Sequence, residues 1–572
     1  MDSRALPSVT CHQRREHAAR GLALRVVVAS LTATACHGDG REIVDGDEVD
    51  GSASLSTGSS TGATDSASVS QSGSTSSADG SGSTTDDTKF DLGVGPGVDM
   101  GVLRPTCEVV DDMDAVGDCE DFAPPDAFEP ATQWDFIGPP GFEYAIVTPL
   151  VVNMTDDNAD GSIDLCDIPD VIVVAGPWIT SDTPPARIYV LDGETGVPHF
   201  SIDDELVQWG GTPAVGDIDG DGLPEIVTSR PDNLGALVAF EHDGTLKWQS
   251  APVWGGSQAS AVALADIDAD GDVEIIAGGH VLDHNGTQVW AQGSDAQYSA
   301  SAAADLDGDG QMEILTASGA YRNDGSLYWA AGDGGWAHPS IANLDGDADP
   351  EVLYAVNGGI MLYNHDGSLV WGPIAPVGGQ NDWNRPINVH NYDADPDAEF
   401  GAAEPGNYTI FNGDGSIVWT VPVADPSGQA GGTAFDFIGA GIAQAIYQDE
   451  TNVYVFDDAG QTLMDIPYKS GTIIQYPTVA DIDNDGSAEI LVISNPGFVG
   501  GATEFTVRAV RDVEDRWVQG RRIWNQHTYH VTNVREDGTI PQHEPKHWQL
   551  LNTFRTQAQI QGGGVCTPDP RG

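Results

Sequence analysis

The sequence predicts an all-β fold: a β-propeller of seven or eight four-stranded blades with calcium loops, preceded by a disordered linker. Three observations predict it. An acidic nine-residue loop recurs seven times between residues 156 and 489. The copies begin at 156, 217, 266, 305, 343, 391 and 481, so the period is near 40–50 residues, the size of one propeller blade. Most of the loops lead into a short β-rich run and then a hairpin with an Asp-Gly or Asn-Gly turn, often followed by tryptophan, as in LVAFEHDGTLKW (Leu237–Trp248) and VLDHNGTQVW (Val281–Trp290).

Residues 1–35 read as a lipoprotein-type signal. Arg14, Arg15, Arg20 and Arg25 precede a modest apolar run that ends at LTATAC (Leu31–Cys36), which resembles a lipobox and makes Cys36 the candidate lipidation site. Residues 36–105 form a Gly/Ser/Thr-rich linker. Its stretch Ser52–Asp87 has almost no large apolar residue and cannot offset the entropy of ordering, so disorder is expected. Residues 106–133 form a lead-in containing Cys107 and Cys119. With Cys166 and Cys566 these make four cysteines beyond Cys36, an even number that in an exported chain fits two disulfides. Three connectivities are open. In one, Cys107–Cys119 closes a short loop and Cys166–Cys566 ties the first repeat to the C-terminus.

The repeats fill residues 134–520. Four loops place carboxylates at positions 1, 3, 5 and 9: Asp217, Asp219, Asp221 and Glu225; Asp266, Asp268, Asp270 and Glu274; Asp305, Asp307, Asp309 and Glu313; Asp481, Asp483, Asp485 and Glu489. Two open on asparagine and lack the glycine: Asn343, Asp345, Asp347 and Glu351; Asn391, Asp393, Asp395 and Glu399. The first copy carries an insertion, with Asp156, Asn158, Asp160 and Asp164 as its set. Oxygen donors packed this closely suit a hard cation, and calcium takes six to eight oxygens. An EF-hand needs an acid at position 12. Six loops have Thr228, Ala277, Thr316, Tyr354, Ala402 and Val492 there, and only the first has an acid, Asp167. An eighth copy, DFIGAGIAQ (Asp436–Gln444), keeps the phase but has lost its carboxylate set, so the unit is structural first and metal-binding second. Trp134 precedes the first loop as Trp248 and Trp290 precede theirs, so the segment around it is expected to supply the outer strand of the last blade.

The DxDxDGxxE loop followed by a short apolar strand, repeated at blade spacing, resembles the FG-GAP (VCBS) repeats of integrin α-subunit propellers and their bacterial relatives. The resemblance covers about residues 140–520. It implies a β-propeller, usually of seven blades, with several structural Ca2+ ions in loops between blade strands. The C-terminal stretch Arg521–Arg555, within a tail of residues 521–572, carries His527, His530, His543 and His547 with Trp524 and Trp548. A zinc site or a packed aromatic cap on the last blade would each use these residues, and the cap reading is favoured because no acid or cysteine completes a ligand set.

The chain carries 23 Lys and Arg against 88 Asp and Glu, a net charge of −65 that disfavours nucleic acid and anionic membrane surfaces. Contact with a membrane is expected only through an N-terminal lipid anchor. These readings converge on an exported protein of the cell envelope or outer surface, or a secreted one. Its role would be that of a calcium-stabilised binding propeller for adhesion or for recognition of an extracellular protein or glycan. Two alternatives stand beside it: a calcium-containing propeller enzyme such as a polysaccharide lyase, with Arg385, His390 and Tyr392 as its nearest candidates, and a non-binding surface scaffold.

Overall fold

The computed structural model describes residue 107 and residues 119–178, 185–231, 235–254, 259–292, 299–331, 338–356, 358–375, 377, 385–497 and 502–567. The signal segment, Cys36 and the linker lie outside the described residues.

Eight antiparallel sheets form the blades of a propeller. The second blade shows the plan. Its inner strand Ala214–Gly216 is followed by Glu225–Ser229, Leu237–Phe240 and the outer strand Leu246–Gln249, each hydrogen-bonded to the last. The inner three strands are buried throughout, whereas the outer strand is largely solvent-facing. Runs such as EIVTS and LVAF, buried on both faces, are what a strand sandwiched between neighbouring blades requires. The other blades open on Leu150–Val152, Ser260–Ala265, Ala302–Ala304, Ser340–Ala342, Asn388–His390, Gly432–Phe435 and Thr478–Ala480.

The ring closes across the two ends of the repeat region. The eighth blade takes its outer strand from Pro130–Phe136, which pairs antiparallel with Val507–Asp512. The expected role of the Trp134 segment is therefore met. Blade number, open between seven and eight on sequence, is eight.

In every blade the outer strand carries a β-bulge just ahead of an inward-facing side chain, which is tryptophan in six blades, Phe200 in the first and Met464 in the seventh. A bulge twists the strand and re-aims one side chain. The tryptophans use that aim to latch the next blade. Trp248, Trp290, Trp329 and Trp371 each donate the indole N–H to a backbone carbonyl in the following blade's hairpin turn, at 2.7–2.9 Å. The ring also lies over the turn's glycine: a Cβ on Gly286, at φ +78°, would stand 2.6 Å from the Trp248 ring. The turn therefore needs glycine both for its backbone conformation and for the close approach.

The C-terminal segment does not cap the last blade. It runs along the propeller axis and bonds all eight blades. Trp524 exchanges backbone bonds with Val151 of the first blade, and Asn525 and Gln526 accept from Val215 and Leu264 of the second and third. Lys546 pairs with Asp305 in the loop of the fourth, and Asn552 accepts from Asn343, which follows the inner strand of the fifth. Phe554 exchanges bonds with Val389 of the sixth, Arg555 accepts from Thr433 of the seventh, and Gln557 donates to Val479 of the eighth. Inner strands have one unpaired edge facing the axis, and this plug satisfies part of it. Arg555 is fully buried and its guanidinium donates to Ser340 Oγ, Ile387 O and Pro339 O.

The disulfides are Cys107–Cys166 and Cys119–Cys566. This is a different connectivity from the pair Cys107–Cys119 and Cys166–Cys566. The plug's end is thus tied to the lead-in strand segment and not to the first repeat.

Candidate metal loops

Each acidic loop joins the inner strand of a blade to its second strand, and the loops share a hydrogen-bond scheme built from their own carboxylates. In the second blade the position-1 carboxylate of Asp217 accepts the backbone N–H groups of Gly220, Asp221 and Gly222. Position 5 accepts from the N–H of position 7 in all seven loops, as Asp221 does from Leu223. Position 9 reaches back across the loop. Glu225, Glu274, Glu313, Glu351, Glu399 and Glu489 each accept the N–H of position 2 at 2.7–3.1 Å. One oxygen of each glutamate is thereby used. The other faces the acids of its loop, and in Glu225 and Glu313 it also accepts from Lys247 and Arg322, respectively.

The remaining oxygens converge. Ligand atoms of Asp217, Asp219 and Asp221 lie within 4.8 Å of one another, as do those of Asp266, Asp268 and Glu274 and those of Asp305, Asp307 and Glu313. Convergence without a cation is electrostatically costly. Burial first, and then repulsion from neighbouring aspartates, pushes Glu274 and Glu399 up to about 8 and Glu313 and Glu351 up to about 7. In the eighth blade burial pushes Asp481 up to about 7 and Glu489 well up, and Glu489 Oε1 is buried with no partner. Buried, unpartnered carboxylate oxygens facing other carboxylates fit a hard divalent ion. The positions named on sequence in these six loops are brought together; Asn343 and Asn391 instead turn their amide N–H groups onto Asp347 O and Asp395 O.

The first loop differs. Its insertion moves the closing acid from Asp164 to Asp170, which starts the second strand opposite Val152 and accepts the N–H of Met154, the place Glu225 holds relative to Gly216 and Ile218. Asp156, Asn158 and Asp160 form a separate turn in the inserted segment. There Asp167 accepts from Asp157, Asn158 and Asp164, and the Asp164 carboxylate accepts from Cys166. His199 Nε2 stands 3.3–3.7 Å from Asp157, Asp170 and Asp192, a group that sequence spacing did not signal.

The eighth copy is less decayed than its sequence suggests. Asp436 accepts from Ala440 and Gly441, and Gln444 Oε1 accepts from Phe437. Positions 1 and 9 keep their structural bonds. What has gone is the acid at positions 3 and 5, now Ile438 and Ala440.

Around the loops lie two clefts. One of about 460 Å3 sits between the fifth and sixth blades, lined by Asp345, Trp371, Asp395, Asp397 and Glu399 among others. A second of about 350 Å3 lies where the loops at 343 and 391 meet Trp548 and Asn552 of the plug. The lyase candidates are not in either. Arg385 is 3% exposed and donates to Ala403 O, while His390 and Tyr392 are 4% and 1% exposed. Of the tail histidines, His530 packs on His547 within the plug, with Nε2 of His530 bonded to Glu544, whereas His527 packs on His338, which precedes the inner strand of the fifth blade.

Residues 217–277, the second blade from its acidic loop onward and the first two strands of the third, match the FG-GAP-like repeat family. No curated protein matches the chain. Among solved structures, the V. cholerae biofilm matrix protein Bap1 is similar at 20% identity and a TM-score of 0.66, over 77% of this chain and 100% of that one. The exotype rhamnogalacturonan lyase YesX is similar at 16% identity and a TM-score of 0.50, over 78% of this chain and 83% of that one. At such identities the likeness is one of fold. The chain is thus a β-propeller carrying an FG-GAP-like repeat, with acidic clusters able to hold metal ions.

Proposed function

We propose that this chain is an exported propeller stabilised by calcium, which recognises an extracellular protein or glycan at its surface. The observation that carries the calcium reading is the buried Glu489 Oε1, unpartnered and facing Asp481, Asp483 and Asp485. A calcium ion held by oxygens supplies the missing charge at such a site, and the weak sites of extracellular modules work at the millimolar ion found outside cells. The two disulfides support an oxidising compartment. Among the described residues no helix is long and apolar enough to cross a membrane. Cys36 would carry a lipid anchor, and a mature N-terminus elsewhere, found by mass spectrometry, would remove that part of the reading.

Recognition falls to the clefts and the rim, because the axis is filled by the protein's own tail. The cleft beside Trp371 combines an aromatic face with oxygen donors, a composition that suits a neutral glycan or a basic protein surface. Without bound cations, its five carboxylates, Asp345, Asp395, Asp397, Glu399 and Asp414, disfavour an acidic polysaccharide. The test is a glycan and matrix-protein binding array run with calcium and with chelator, beside a lyase assay on acidic polysaccharides. Calcium-dependent binding without cleavage is the expected result. Cleavage, or no binding on either array, would overturn it.

A further inference from the structure

In the second blade the bulge that precedes the latch residue aims a side chain at the acidic loop of the same blade, and the residue at the bulge differs from blade to blade. In the second blade it is Lys247, between Leu246, paired with Phe240, and Trp248, paired with Ala239. Its ammonium lies 2.6 Å from Asp219, 3.1 Å from Glu225 and 3.1 Å from Glu241. In the third, fifth and sixth blades the bulged residue is Val289, Val370 and Val418. A second position faces the same loop, the residue that follows the third strand's last paired residue. It is Arg322 in the fourth blade, 2.8 Å from Asp307, 3.3 Å from Glu313 and 3.7 Å from Asp309. The corresponding residues are Asp283, Asn364 and Asn412 in the third, fifth and sixth blades.

We propose that Lys247 and Arg322 are tethered counter-ions that take the cation's place, so that the loops at 217 and 305 are stapled without metal while those at 266, 343 and 391 require it. The proposal rests on the calcium reading above. Both side chains bridge the position-3 and position-9 carboxylates, two of the loop's four ligand positions, and a divalent ion could enter only by displacing a like charge held at contact distance. Sequence alone gives these two loops the full ligand set, and the bulge at Lys247 and the end of the third strand at Arg322 are what show the sets already engaged.

The test counts bound calcium by elemental analysis of full-length protein dialysed at saturating calcium. Lys247→Met and Arg322→Met should each bind one more ion per chain than wild type, and the double variant two more. Val289→Lys, at a bulge position 58% exposed and so free to accept a longer side chain, should bind one fewer. Lys247→Arg should match wild type. Should a methionine variant fail to fold, the Val289→Lys count decides alone. Equal, non-zero counts in wild type and every variant would overturn the tether and leave the calcium reading standing. Counts of zero throughout would overturn both.

Discussion

The indole N–H of Trp134 donates to the backbone carbonyl of Gly193 at 2.7 Å, and its ring covers Gly196 of the same turn. Trp134 lies in the outer strand of the eighth blade and Gly193 in the turn of the first. This bond is therefore the latch that joins the end of the ring to its beginning, made in the same way as the latches between neighbours in sequence. Trp134→Phe keeps most of the packing and removes the bond, so it should cost about 1–2 kcal/mol in chemical denaturation. Trp419 occupies the same place in the sixth blade and packs on Gly460, but its indole nitrogen is buried without a partner. Trp419→Phe should therefore cost measurably less. Equal losses would show that packing alone carries the latch.

Chelator sensitivity should rise with pH. In the metal-free protein Glu274 and Glu399 are pushed from 4.5 up to about 8, chiefly by burial. A carboxyl raised on folding adds stability at pH below 4.5, and that stability is lost as pH climbs through 8. Calcium replaces the proton and removes the loss. The gap in melting temperature between calcium and chelator should be small at pH 5.5 and widen to many degrees at pH 8.5. A gap that is constant across this range would mean that the loops are not the groups being titrated.

Glu351→Gln separates the two roles of position 9. Gln444 shows that a carboxamide can accept the position-2 N–H as well as a carboxylate does. The variant should keep the bond to Leu344, relieve repulsion from Asp345 and Asp347, and melt higher than wild type in chelator. In calcium it should gain less than wild type, because one charged ligand is gone. A lower melt in chelator would show that the carboxylate's charge is needed even without metal.

The repeats, the turns and the ring-closing strand were legible because each is local: an Asp-Gly turn, a buried β-branched run and a tryptophan at fixed offset are all visible in one stretch of sequence. What was hidden depends on register or on distance along the chain. Asp170 takes over from Asp164 only because an insertion shifts which residue opens the second strand. Lys247 and Arg322 face their loops only through a bulge and a cross-strand pairing. The plug has no periodicity, since its partners are inner strands and acidic loops of eight different blades. The pairing of Cys119 with Cys566 spans 447 residues.

Asp436 illustrates the same limit. Read as a leftover of a lost metal loop, it would be dispensable. Its carboxylate instead accepts from Ala440 and Gly441, and the side chain is buried. Asp436→Ala strands those donors and should cost about 1–3 kcal/mol. Asp436→Asn, which keeps an acceptor, should cost less. A neutral Asp436→Ala in thermal or chemical melts would return the seventh blade's loop to the status of a relic.

The plug should be required for folding, whereas its disulfide should only strengthen it. Deleting the chain from residue 519 onward removes the acceptors of the backbone N–H groups of Val151, Val215 and Val389 and leaves those inner strands open at the axis. Each stranded buried donor costs about 1–3 kcal/mol, and the burial of Trp524, Tyr529 and Phe554 is lost with them. Together these losses are comparable with the whole stability of a domain, about 5–15 kcal/mol. The truncated chain should therefore be insoluble or lack a cooperative melt. Cys119→Ser with Cys566→Ser leaves all those contacts in place and should cost only about 2–4 kcal/mol, the usual effect of freeing a long closed loop. A soluble truncated chain with an unchanged melt would show that the eight blades close on their own and that the tail is an occupant of the axis, with no part in holding the ring.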